Sequence, residues 1–167
     1  MNYLKLLGLG ALIAGTSACA YIGGGEPDPR WADYKNWHKI TEGRVGTGDP
    51  TGLIGNVHKG REGYREVYVN DIGKEALTGT APYNFPVGSV VIKEQFANKA
   101  AWEAQKGGEV TVSLKVKEGT GSADNWEWAA GYTGKAGPSE FCAGCHTAAI
   151  ASDFVFTHED FLAKEFN

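Results

Sequence analysis

Two thiols and an imidazole stand within one short run, Phe141-Cys142-Ala143-Gly144-Cys145-His146. Cys-x-x-Cys-His is the attachment signature of a c-type haem: each thiolate can add to one porphyrin vinyl group, and the adjoining imidazole then lies under the iron. The competing chemistries need contexts the sequence does not offer. A redox dithiol wants a βαβ setting, and a zinc site wants two further ligands at finger or ribbon spacing. On this reading Cys142 and Cys145 anchor the haem and His146 is the proximal iron ligand. The opposite face of the iron then decides function. An electron-transfer cytochrome usually places Met there, but the only Met of the chain is Met1. The remaining candidates are His38, His58 and His158. His158 reads as the solvated start of a terminal helix, His38 as a surface or aromatic-packed imidazole, and His58, in a Gly-rich loop, is the best placed of the three. An open, five-coordinate iron is the expectation, with a bis-His electron carrier through His58 as the alternative.

Haem attachment of this kind takes place outside the bacterial cytoplasm, and the N-terminus agrees with export. Lys5 is followed by an apolar or small run from Leu6 to Ala14 and then by Gly15-Thr16-Ser17-Ala18-Cys19-Ala20. This reads as a signal peptide over residues 1–20, too short in its apolar part to span a bilayer. Two cleavage readings stay open. Ala18-Cys19-Ala20 fits release of a soluble periplasmic protein, whereas Thr16-Ser17-Ala18-Cys19 resembles a lipobox that would leave a lipid anchor on Cys19. Without Cys19, two cysteines remain, and a pair three residues apart closes too small a loop to serve as a disulfide framework.

The rest of the chain must build a domain around that motif. Its 167 residues, 42% hydrophobic and 22% charged, fit one globular domain. With 16 basic against 20 acidic residues the formal charge is -4. No clustered basic face is available for nucleic acid. Residues 21–29 read as a flexible tether and 30–167 as the haem domain. Pro29 to Lys39 predicts a short helix with Trp31, Tyr34 and Trp37 as a core stripe, and Ile40 to Gly63 a loop-rich stretch. Strands are expected at Tyr64–Asn70, Val87–Glu94, Val110–Lys117 and Asp124–Tyr132, the last placing Trp126 and Trp128 on one side. A short helix carrying Trp102 is expected over Ala97–Lys106. The fold class is therefore α+β, a mainly antiparallel sheet with a few peripheral helices and the haem packed against the sheet.

Four segments in order resemble the cytochrome P460 and cytochrome c′-β family: Val67-Tyr68-Val69-Asn70, Phe85-Pro86-Val87-Gly88-Ser89-Val90-Val91-Ile92-Lys93-Glu94, the Trp126/Trp128 strand, and Cys142-Ala143-Gly144-Cys145-His146 leading to Asp153-Phe154-Val155-Phe156-Thr157. The resemblance implies a periplasmic, homodimeric, sheet-rich protein with one covalent, five-coordinate haem c. It implies one of two activities. The P460 type oxidises hydroxylamine and carries a bond between a Lys and the porphyrin, for which Lys93 stands in the matching position. The c′-β type lacks that bond and binds nitric oxide in an apolar pocket. A distal carboxylate shortly before the haem motif assists the oxidase, and Glu140 is the acid this chain offers, at tighter spacing; with Ser139 it also reads as a helix start. Phe85 and Phe96 are candidates for apolar distal groups. A periplasmic electron acceptor would be the partner of an oxidase.

Overall fold

Period-two alternation through the middle of the chain forms strands, and each strand pairs with the next. The computed structural model describes residues 25–40, 44–46, 63–78 and 82–156, and among these residues six strands make one antiparallel sheet. They are β1 (His38–Lys39), β2 (Arg44–Gly46), β3 (Gly63–Val69), β4 (Val90–Phe96), β5 (Glu109–Lys115) and β6 (Trp126–Ala130). β3 to β6 run as a meander, while β1 and β2 pair with opposite ends of β3 along one edge. Helices α1 (Asp71–Leu77) and α2 (Lys99–Glu103) lie in the connections on either side of β4, and α3 (Glu140–His146) follows β6. The expected α+β, mainly antiparallel architecture is present.

Alternation sends neighbouring side chains to opposite faces of the sheet, and both faces are covered. Tyr68, Val90, Ile92, Val110, Val112, Leu114 and Ala129 pack with Trp31 and Tyr34 on one side. Val67, Val69, Val91, Trp126 and Trp128 pack with Phe85, Phe154 and Val155 on the other. Burial of each large apolar side chain contributes about 1.5–3 kcal/mol, so the two layers together outweigh the weak local preferences of these short elements.

That balance explains where the elements differ from expectation. Pro29–Lys39 is not a helix: turns lead to a single 3-10 turn at Tyr34–Asn36, and His38–Lys39 joins the sheet as β1. A helix of that length is marginal by itself. The chain does better by burying Trp31 completely, its indole N–H donating to the Tyr132 carbonyl at 2.8 Å. The aromatic stripe is core nonetheless. β4 starts at Val90 rather than Val87, because Pro86 to Ser89 forms a turn with Gly88 at φ +89°. α2 is shorter than Ala97–Lys106, ending where Gln105 and Gly107 turn left-handed. α1 was not expected. Its cap is Asn70, whose Oδ1 accepts from both Gly73 N and Val90 N at 3.0 Å. Gly73 allows the close approach to β3, since a Cβ there would stand 2.6 Å from Val69 Cγ2. The loop over Ile40–Gly63 contains β2, and its other residues between 41 and 62, His58 included, lie outside the described residues, as do the signal segment, most of the tether and His158. Among the described residues no helix is long and apolar enough to cross a membrane.

The Trp31 side of the sheet holds two buried carboxylates opposite each other, Glu66 on β3 and Glu94 on β4. Glu94 is paired with Lys35. Glu66 accepts from Lys39 Nζ at 2.9 Å, Tyr68 OH at 2.5 Å and Trp102 Nε1 at 2.8 Å. Burial by itself would raise the Glu66 pKa, but hydrogen bonds from Tyr68, Trp102 and Lys39, with the Lys39 charge, outweigh it and hold the group below its ordinary 4.5. A depressed folded-state pKa stabilises the fold above the unfolded value, and that contribution is lost as pH falls through the folded value. Urea unfolding midpoints should therefore drop as pH falls below about 4.5, and Glu66→Gln should flatten that acid limb.

Candidate functional site

The thiols and the imidazole are carried by α3. The chain enters it through an antiparallel bridge, Trp128 N to Gly137 O at 2.9 Å and Gly137 N to Trp128 O at 3.1 Å, which ties the approach to β6. Ser139 caps the helix, its Oγ accepting from Cys142 N at 3.2 Å. Glu140 is exposed in the first turn, where a carboxylate suits the positive end of the helix. Cys142 and Cys145 fall on one flank, a turn apart, and are not joined in a disulfide. Cys142 and Ala143 pack against the Val67/Trp126 layer, so the helix presents its thiols at the sheet face that carries the second apolar cluster.

His146 closes α3, and the segment behind it fixes its imidazole. A run of 3-10 turns over Thr147–Ser152 ends in two successive left-handed residues, Asp153 at φ 52° and Phe154 at φ 65°. This reversal brings the Phe154 carbonyl to 2.5 Å from His146 Nδ1. With Nδ1 as donor to a carbonyl, the ring is held in the tautomer whose Nε2 carries a lone pair. Trp128 and Phe156 flank the ring, with centroids at 6.0 and 5.0 Å. Burial lowers the His146 pKa below its ordinary 6.5, the Phe154 bond opposes that, and the Lys93 charge adds to the lowering. The neutral, ligating form is the one favoured at neutral pH.

Lys93 lies on the same side. On β4 it shares a face with Val91, directly opposite Val67 on β3 and Thr111 on β5. Alternation alone left either face of this strand free to turn inward; the structure places Val91 and Lys93 toward α3, and Glu94 toward Trp31. Burial, and then the Arg65 charge, push the Lys93 amine below the ordinary lysine value, against the pull of Cys145, Cys142 and Glu109. Its neutral, nucleophilic fraction is increased accordingly.

The other candidates separate. Phe85 is fully buried in the Val67/Trp126 cluster, edge-on to Trp126 at 5.8 Å. Phe96 is a correction: it alternates with Val90 and Ile92 on the Trp31 side, with Lys35 Nζ 5.9 Å from its ring centroid, and does not face the Cys142 side. His38 is exposed on β1, where it lines a polar groove with Trp37 and Asn70. Lys115 and Asp153, which carry no local signal in the sequence, form a fully buried ion pair at 2.6 Å beside the Phe154 turn.

Three features of this region fit a covalently held porphyrin. The thiols sit at the edge of an apolar sheet face, His146 has Nε2 to offer, and Trp128 Nε1 is buried without a protein hydrogen-bond partner, as an indole facing an acceptor of another molecule would be. Among the described residues no three His, Cys, Asp or Glu side chains gather to hold a metal ion by themselves, so a zinc site finds no support there. No match was found among curated proteins. The cytochrome P460 family profile matches residues 31–157, from the buried Trp31 through the haem motif and the Phe154 turn. Covering most of the chain, that match shows that it belongs to the cytochrome P460 family.

Proposed function

We propose that this protein is an exported mono-haem c-type cytochrome of the P460 type that oxidises hydroxylamine and handles nitric oxide. Cys142 and Cys145 hold the porphyrin by thioether bonds, and His146 Nε2 ligates the iron. A haem held there would lie against the sheet face of Val67 and Val91 and would supply the redox chemistry. The observation that carries the reading is the engaged Nδ1 of His146 at the Phe154 carbonyl, on a helix whose two thiols share the sheet face with Lys93. Membership of the family supports it.

Within this reading the chain's residues divide the work. His146 is held in one tautomer and orientation. Val67, Val91 and the flanking Trp128, with Phe85 buried in the same cluster behind them, would keep water from the porphyrin, which favours a neutral small guest over bulk solvent. Lys93, on the same sheet face as Val91 and with burial raising its neutral fraction, is the residue that would carry a P460-type link to the porphyrin. The electrons removed from hydroxylamine pass to a periplasmic acceptor.

Lys93→Ala tests the oxidase reading. The wild-type reduced protein is expected to show a red-shifted Soret band and to turn over hydroxylamine with an artificial acceptor, and the variant to show an ordinary high-spin c-type spectrum with turnover lost. An identical spectrum in both proteins would remove Lys93 from the chemistry. One observation favours a second reading, a non-enzymatic nitric-oxide binder of the c′-β type: Glu140, the acid nearest the motif, is exposed at a helix start. In that case wild type already has the ordinary spectrum, binds nitric oxide, and leaves hydroxylamine unchanged.

A further inference from the structure

Behind the proximal imidazole lies a charged pair with no access to water. Lys115 on β5 and Asp153 are both fully buried, Nζ to Oδ2 at 2.6 Å. Both partners make further hydrogen bonds. Asp153 Oδ2 also accepts from Phe85 N at 3.0 Å, Oδ1 accepts from Trp126 Nε1 at 3.3 Å, and Lys115 Nζ donates to the Gly119 carbonyl at 2.6 Å. Three elements, β5, β6 and the Phe85 turn, thus converge on one carboxylate. That carboxylate belongs to the first of two consecutive left-handed residues, neither of them Gly. Such a conformation is strained for both and persists only where surroundings fix it.

The next residue supplies the carbonyl that His146 Nδ1 meets at 2.5 Å. We propose that the Lys115–Asp153 pair is the positioning device of the proximal ligand: it locks the left-handed turn and aims the Phe154 carbonyl at the imidazole, so setting how strongly His146 donates to iron. The proposal rests on His146 being the iron ligand. Its physical basis is that a hydrogen bond donated by Nδ1–H raises the basicity of the ligating nitrogen, and outer partners of this kind tune the metal they do not touch. A buried pair is a costly way to hold a turn compared with apolar packing, but a carboxylate at this point can also accept from Phe85 N and Trp126 Nε1, which a hydrophobic side chain could not.

Lys115→Met/Asp153→Asn tests it. The double variant removes both charges together, and Asn keeps an acceptor and tolerates the left-handed conformation. The readouts are the iron–histidine stretching band of the ferrous holoprotein by resonance Raman and the midpoint potential. The expected result is a band shifted down in frequency and broadened, with a raised potential, because a loosened carbonyl makes His146 a weaker donor. Val112→Ala, on the opposite sheet face, controls for general loosening: it should lower the melting temperature and leave band and potential in place. A folded, haem-loaded double variant with band and potential unchanged would reduce the pair to packing and overturn the proposal alone. A wild-type ferrous protein without any iron–histidine band would overturn the site reading beneath it as well.

Discussion

Lys115→Met by itself is expected to cost about 3–5 kcal/mol of folding stability, since it strands an ionised carboxylate in the interior. Asp153 is fully buried and has no water to turn to. Against a typical total of about 5–15 kcal/mol, such a loss leaves a protein that is partly unfolded at moderate temperature. Urea denaturation of purified protein measures it. Lys115→Met/Asp153→Asn should recover part of the loss, because no charge is left unpaired, although the single amide oxygen can accept from Phe85 N or from Trp126 Nε1 but not from both as the two carboxylate oxygens do. An equal loss in the single and double variants would mean that the methylene stem of Lys115 against Trp126, whose ring centroid lies 5.0 Å from Nζ, matters more than its charge. The expected order separates electrostatics from packing.

The second large effect concerns retention of the cofactor. Cys142→Ala/Cys145→Ala is expected to abolish covalent attachment completely, so that acidified organic solvent strips all colour from the protein. Wild type should keep its colour under the same treatment and show a mass raised by one haem. Each single variant should retain one thioether bond and stay coloured. Stability is expected to follow attachment, because Cys142 and Ala143 pack on the Val67/Trp126 layer and an unfilled apolar face loses part of its burial energy. Colour retained by the double variant would show that the thiols do not hold the porphyrin.

How much of this was legible in the sequence depended on whether the signal was local. The Cys-x-x-Cys-His run with Ser139 before it specified a capped helix carrying both thiols, and that helix is α3. Val110, Val112 and Leu114 alternated cleanly and form the buried face of β5. Lys115 continued the polar phase of that strand and was indistinguishable from Lys117 by pattern. Only the arrival of Asp153 from a distant turn buries Lys115, and no local rule announces it. Asp153 and Phe154 hid for a related reason: left-handed backbone is expected of Gly or Asn, and here a bulky aromatic adopts it because tertiary contacts fix the turn. Lys93 lay between these cases. Its strand was recognised, yet both phases of β4 were apolar enough to face inward, and the choice fell to which neighbour, Trp31 or α3, covered each side. The 29–39 helix failed where burial of Trp31 and pairing of β1 with β3 outweighed a marginal helix.

In the proposed site His146 is the only protein donor to the iron, and the opposite coordination position is open to a small ligand. Electron paramagnetic resonance of the ferric protein, followed by nitric oxide titration of the ferrous form, distinguishes an open site from one closed by a second protein ligand. A high-spin ferric signal, stoichiometric nitric oxide binding, and no change of either in His58→Ala are the expected results. A low-spin ferric signal that becomes high-spin in His58→Ala would overturn the open site and make the protein a bis-histidine electron carrier.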